Sequence, residues 1–311
     1  MSVSDHILPN VLYAVGHTPL IALQRIRPDN GVDIAIKLES VNPGGSIKDR
    51  IATALIESAE QDGRLQAGGT IVEATAGNTG IALAMAAAVK GYHALFVVPD
   101  KMSPDKIAIL KAYGASVRVV PEAPRNDEAN YQNIARRLAE EIPGGCYMGQ
   151  FEQEANWLAH FHSTGPEIWK DSNGKVAAVV AGAGTGGTIT GVGRYLKKQN
   201  PQVLVIGADP VGSIFTGPVA PFKIEGMGED YYPDTLDMAV VDQWIAVSDA
   251  DAFAMCRRLA HEEGLLVGGS SGAIVHVALN VARSLPPNAL VVALAPDTGR
   301  NYLSNIFSEG Y

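Results

Sequence analysis

Apolar and polar side chains alternate with a period of two over residues 32–38, and over 47–59 the apolar positions recur at helical spacing, so a strand followed by a helix is expected. The same change of period then repeats. Strands are expected at 70–74, 93–98 and 116–120, and helices at 78–90, 103–113 and 127–141. Beyond residue 150 a continuous apolar run at 176–181 reads as a buried strand, followed by a glycine-rich loop and a helix over 188–198. A strand at 203–208, helices at 249–263 and 270–284 and a last strand at 289–295 complete the pattern. Residues 210–237 are rich in Gly and Pro and have no period; so long a loop in an α/β domain is usually functional. Near the start, Gly16-His17-Thr18-Pro19-Leu20 is a turn leading into an extended segment, with His17 read as part of the turn rather than as a catalyst.

Strands alternating with helices imply an α/β fold of parallel sheets with helices on both faces. Two open, twisted αβ domains that meet near residues 145–155 are expected. Ligands of such sheets bind at the carboxyl ends of strands, which directs attention to a cleft between the two halves.

Composition narrows the chemistry. With 311 residues and 47% hydrophobic content the chain can bury a large core, and its 33 glycines suggest tight turns or close backbone approach to a ligand. A formal net charge of -9 argues against a nucleic-acid partner but allows a small anion held at a helix N-terminus. Cys146 and Cys256 are far apart and have no metal-ligand spacing, so neither a disulfide framework nor a metal site is indicated. The longest apolar run, 81–89, is too short to span a membrane, and residues 1–10 have no signal-peptide pattern, so a cytoplasmic protein is expected.

Four stretches carry candidate chemistry. Lys48, in Asn42-Pro43-Gly44-Gly45-Ser46-Ile47-Lys48-Asp49-Arg50, falls in the first turn of the 47–59 helix, where the helix dipole disfavours an ammonium. A lysine whose pKa is lowered there is a nucleophile able to form an imine with a carbonyl; the plain alternative is a surface lysine after a turn. Thr75-Ala76-Gly77-Asn78-Thr79-Gly80 joins a strand to a helix, and its backbone N–H groups, hydroxyls and amide suit a carboxylate or phosphate, or simply cap the helix. Gly182-Ala183-Gly184-Thr185-Gly186-Gly187-Thr188 also joins a strand to a helix. Its Gly182, Gly184 and Gly187, with Asp209 ending the next strand, fit a dinucleotide fingerprint, whereas Thr185 and Thr188 suit a phosphate monoester. Gly268-Gly269-Ser270-Ser271-Gly272 opens a helix, and Ser270 is either its cap or a partner for a ring nitrogen. A nucleophilic lysine, a phosphate loop, a carboxylate loop and a hydroxyl together make the inventory of a pyridoxal phosphate enzyme acting on an amino acid.

Together these motifs resemble the cysteine synthase and cystathionine β-synthase family, fold type II of the pyridoxal phosphate enzymes, over nearly the whole chain. The resemblance implies a smaller, mobile domain of residues 47–153 and a larger one, of residues 1–46 plus 154–311, that binds the cofactor phosphate. It implies that Lys48 carries pyridoxal 5'-phosphate as an imine and moves the Cα proton. Asn78 would meet the ring hydroxyl oxygen, Gly184, Thr185, Gly186, Gly187 and Thr188 the phosphate, and Ser270 the pyridine nitrogen. Thr75, Ala76, Gly77, Asn78, Thr79 and Gln150 would receive the substrate, with Thr75, Thr79 and Gln150 on its carboxylate. The implied reaction is β-replacement on serine or O-acetylserine, through an aminoacrylate, by a thiol. Gly226-Met227-Gly228, the run from Val240 to Trp244, the run from Glu263 to Ser270 and the run from Pro296 to Tyr302 look closer to cystathionine β-synthases, which implies homocysteine as the thiol. Ala76 in place of the usual Ser, and Phe151 where Tyr is frequent, remove hydroxyls and favour O-acetylserine over serine. A short bacterial form with neither a haem-binding extension nor a regulatory module, acting as a homodimer, is the expectation. Alternatives are a cysteine synthase using sulfide, a serine or threonine dehydratase, a nicotinamide-dependent dehydrogenase built on Gly182, Gly184, Gly187 and Asp209, and a non-catalytic descendant.

Overall fold

A computed structural model describes residues 7–75 and 77–308. In chain order its strands are β1 (Leu20–Ala22), β2 (Asp33–Leu38), β3 (Thr70–Ala74), β4 (His93–Pro99), β5 (Ser116–Val120), β6 (Gly145–Tyr147), β7 (Val176–Gly182), β8 (Leu204–Pro210), β9 (Gln243–Val247) and β10 (Leu290–Ala295). The helices used below are α1 (Lys48–Gln61), α2 (Asn78–Lys90), α3 (Pro104–Ala112), α4 (Tyr131–Glu141), α5 (Ala155–Ala159), α6 (Gly165–Asp171), α7 (Gly187–Gln199), α8 (Asp249–Glu263) and α9 (Gly269–Ser284), with one turn of π-helix at His160–Thr164. The chain divides into two compact units, Met1–Val15 with Asn42–Ala155 and Gly16–Val41 with Asn156–Tyr311.

The first unit is built on a parallel sheet of order β5-β4-β3-β6. β3 lies inside it, paired through Ile71↔Ala94 on one side and Ile71↔Cys146 on the other, so four of its five residues are buried. On one face Val72, Ala74 and Val97 pack against Ile134, Ala135 and Ala139 of α4. The loops after β3 and β6 therefore emerge side by side at the carboxyl edge.

The second unit holds a sheet of order β1-β2-β10-β7-β8-β9, parallel except for β1, which runs antiparallel to β2. Its central strands β10 and β7 read as near-continuous apolar runs, as parallel strands covered on both faces must. The core gathers Ile34 and Ile36, Val180, Val291 and Ala293 from the sheet with Phe253, Cys256 and Leu259 of α8 and Ile274, Val277 and Ala278 of α9. The α/β class and the two parallel sheets agree with the sequence pattern. The largest shift of a boundary is in α4: the helix expected from 127 starts at Tyr131, because Asn130 caps it through Gln132 N at 2.9 Å and Asp127 accepts from Ala129 N at 2.8 Å, closing a turn first. Among the described residues no helix is long and apolar enough to cross a membrane.

Candidate active site

In the first unit, α1 opens on Lys48, with no side-chain cap at Ile47. The chain reaches it through a tight loop in which Gly45 N donates to Asn42 O at 2.8 Å and Lys48 N to Ser46 Oγ at 3.2 Å. Asp49 folds back to accept from Gly44 N at 2.5 Å. Asp49 and Arg50 are buried while Lys48 is half-buried. An ammonium at the positive end of a helix is opposed by the dipole, whereas the acidic neighbour Asp49 is favoured by it.

The loop between β3 and α2 is organised by Thr75. Its N–H donates to Val97 O at 3.1 Å, and its Oγ1 accepts from Gly77 N at 3.2 Å and Gly80 N at 3.3 Å. Thr79 Oγ1 donates to Gln150 Oε1 at 2.6 Å, and Gln150 Nε2 reaches Ala74 O at 3.5 Å. Thr75, Thr79 and Gln150, expected to share one task, are thus brought together, and all three are buried. Gly77 is the N-cap of α2 and offers no capping side chain, and Asn78 is its first residue. Ala76 lies outside the described residues.

In the second unit, Gly186 has φ +81° and serves as N-cap of the thirteen-residue α7, again without a side-chain cap. A Cβ at Gly186 would collide with Leu236, and one at Gly187 with Asn156 Oδ1. Thr185 Oγ1 accepts from Asn156 Nδ2 at 3.0 Å, and Thr235 Oγ1 donates to Thr185 O. Thr188 Oγ1 meets His160 Nε2 at 3.1 Å, and the other ring nitrogen meets Thr164 Oγ1 at 2.9 Å. The loop of residues 210–237 closes round this turn: Gly228 N donates to Ala183 O at 2.8 Å, and Gly226 O would touch a Cβ at Gly184 at 3.0 Å. A helix start whose N-cap glycine has no capping side chain, with Gly187 N donating to Thr185 Oγ1 at 3.4 Å, and two hydroxyls make a turn that fits a phosphate monoester.

Ser270 is the second residue of α9, whose N-cap Gly268 also supplies no side-chain cap. Packing fixes this helix start. Gly268 lies against Asp297 and Tyr302, a Cβ at Gly272 would meet Cys256 Sγ at 2.5 Å, and Tyr302 Oη donates to Asp297 at 2.7 Å. The Ser271 hydroxyl is fully buried without a hydrogen-bond partner. Asp209, the acid a dinucleotide reading needs, is buried, and Thr216 Oγ1 donates to it at 2.7 Å. Burial pushes its carboxyl up, against hydrogen bonds from Thr216 and Ser213. It serves the 210–237 loop rather than a ribose.

Three residues around these loops escaped the sequence reading. His160 and Asn156 reach the phosphate-type turn from 28 and 29 positions upstream, and no local pattern marks them. Glu73 accepts from Gln150 N at 3.3 Å, and its only signal was a lone acid in the apolar strand Thr70–Ala74.

A family model described as "Pyridoxal-phosphate dependent enzyme" matches residues 11–297. The chain is 45% identical over 312 residues to a cystathionine beta-synthase of Apis mellifera, an alignment covering 97% of this chain and 62% of that protein. It is 44% identical over 303 residues to a probable cysteine synthase of Bacillus subtilis, covering 96% of this chain and 97% of that one. Among solved structures, O-ureido-L-serine synthase superposes with a TM-score of 0.92 at 38% identity, covering 98% of both chains. The chain spans 62% of the Apis mellifera protein and 56% of a Rattus norvegicus cystathionine beta-synthase.

Proposed function

The chain belongs to the family of pyridoxal-phosphate dependent enzymes, and from that premise we propose that it catalyses β-replacement on O-acetylserine or serine by a thiol, with homocysteine as acceptor and cystathionine as product. The observation that carries the amino-acid part is the buried, neutral cluster of Thr75, Thr79 and Gln150 at the carboxyl edge of β3. Two hydroxyls and an amide beside the glycine-capped start of α2 suit an α-carboxylate. Pyridoxal phosphate, when bound, supplies an electron sink that stabilises negative charge at Cα and lets a β substituent leave.

The chain's own residues do the rest. Lys48 would hold the cofactor covalently and, once released by the substrate amine, take the proton from Cα and later return it. Gly184, Thr185, Gly186, Gly187 and Thr188 would hold the phosphate, and Asn78 the ring hydroxyl oxygen. Ser270, a neutral hydroxyl in the first turn of α9, would meet the ring nitrogen without an acid to protonate it, and the dipole there opposes a positive ring. That favours β-elimination over deeper charge withdrawal into the ring. Ala76, Gly77 and Asn78 would close with Thr75 and Thr79 over the substrate, excluding water that would divert the reaction to keto acid. Residues 47–153 would be the mobile part, and a cytoplasmic homodimer the working form.

Homocysteine rather than sulfide rests on the likeness of the segments around Gly226, Val240, Glu263 and Pro296 to those of cystathionine β-synthases. Steady-state rates with serine, O-acetylserine and O-phosphoserine, each paired with sulfide and with homocysteine, test it. The expected result is the highest kcat/KM for O-acetylserine with homocysteine, by about tenfold or more, a difference of about 1.4 kcal/mol in transition-state binding. A preference for sulfide would make it a cysteine synthase, and pyruvate formed at full rate without thiol would make it a dehydratase.

A further inference from the structure

The cluster proposed for the substrate carboxylate is itself held by a group that no step above uses. Glu73 lies in β3 between Val72 and Ala74 and is fully buried. The ladder between β3 and β6 ends at Val72↔Tyr147, with one more bond from Met148 N to Val72 O at 3.0 Å. Past that point the Glu73 side chain takes over from the ladder. Its Oε2 accepts from Gln150 N at 3.3 Å and its Oε1 from Ala74 N at 2.9 Å. With its backbone pinned there, Gln150 aims its amide at Thr79 and Ala74.

The surroundings make this carboxyl sensitive to pH. Tyr147 comes from β6, Glu152 from the turn beyond it, and Arg136 and Tyr131 from α4. Arg136 is engaged elsewhere, paired with Glu152 at 2.5 Å and stacked 5.0 Å above the Tyr147 ring. β4 presents uncharged Phe96 alongside, and the only ionisable side chain of α2 is Lys90 at its far end. Burial pushes the Glu73 carboxyl up to about 8 against hydrogen bonds from Ala74, Gln150 and Gly149, and Glu152 adds to the rise.

We infer that Glu73 is a positioning residue for the amino-acid substrate: accepting from Gln150 N, it fixes Gln150 for the carboxylate, and its charge, once ionised, weakens binding of an anionic substrate. The inference rests on reading Thr75, Thr79 and Gln150 as the carboxylate site. Below the folded pKa the group is neutral and costs the incoming anion nothing. Above it a second negative charge stands behind the same loops, and like charges in a buried region repel strongly.

The test uses the cofactor-loaded enzyme and two ligands without a leaving group, L-alanine and its uncharged relative L-alaninamide. Their dissociation constants are read by difference absorbance from about pH 6.5 to about pH 9.5, a range bracketing the raised carboxyl, in wild type, Glu73→Gln and Glu152→Gln. Comparison between variants cancels the titration of each ligand's own amine. Relative to Glu73→Gln, wild type is expected to lose about three- to tenfold affinity for L-alanine across that range, with no such loss for L-alaninamide. Glu152→Gln, which removes a charge that raises Glu73, is expected to move the midpoint to lower pH, and this comparison serves if Glu73→Gln does not fold. Parallel curves for wild type and Glu73→Gln, equal losses for both ligands, or an unmoved midpoint in Glu152→Gln would overturn the inference. Absence of any spectral response to either ligand in wild type would instead remove the carboxylate-site reading on which it stands.

Discussion

A lysine as the first residue of a helix is opposed by the helix dipole, and that local conflict marked Lys48 as a candidate beside the plain reading of a surface lysine; only the other loops decided between them. The turn at Gly184 to Thr188 was legible for a related reason, since so many glycines carry an entropic cost that only a backbone requirement offsets. At Gly186 the requirement is visible: φ is +81° and a methyl would run into Leu236. Gly186→Ala is expected to lower stability by about 2–4 kcal/mol, combining left-handed strain with overpacking, and to release the cofactor more readily. Thermal unfolding and cofactor retention on dialysis would check both. Glu73, His160 and Asn156 were hidden because their work is tertiary, each reaching a partner far away in sequence; Glu73 alone carried a local signal, as a lone acid in an apolar strand.

Elements with a strong period were the readable ones. β6 is three residues long, and β9, Gln243–Val247, has only one fully buried position, so neither carries enough apolar signal to stand out. The helical stretch from Ala155 to Asp171 is interrupted by a π-helical turn, which breaks the repeat that would have revealed it. Long-range ties between elements are equally silent in the sequence. Glu263, the last residue of α8, accepts from Gln24 N at 3.1 Å, Arg25 N at 2.6 Å and Ile26 N at 2.7 Å, anchoring the chain after β1. Burial pushes its carboxyl up, but the backbone donors and the Arg25 charge outweigh it and hold the group below its ordinary value of 4.5. The stabilisation is therefore present above the unfolded pKa and lost as pH falls through the folded one. Glu263→Gln is expected to cost about 1–3 kcal/mol near neutral pH, with the difference from wild type shrinking in acid. Denaturant melts at several pH values would read this, and a difference independent of pH would contradict it.

The whole molecule repeats one arrangement in two units: a largely parallel sheet in which one strand, β3 in the first and β7 in the second, leads at its carboxyl end into a helix whose N-cap glycine supplies no side-chain cap. Alternating strands and helices made that α/β organisation plain. The grouping of Met1–Val15 with Asn42–Ala155 was not, because the pairing of segments so far apart depends on packing rather than pattern. Function was legible only as a combination, since each loop alone admits a plain structural role, whereas a lysine, a carboxylate loop and a phosphate turn converge on pyridoxal phosphate chemistry. Borohydride reduction of the purified enzyme followed by mass mapping of its peptides asks directly whether Lys48 carries the cofactor. A phosphopyridoxyl adduct confined to the peptide containing Lys48 is the expected result; an adduct on a different lysine, or none even after incubation with pyridoxal phosphate, would contradict it.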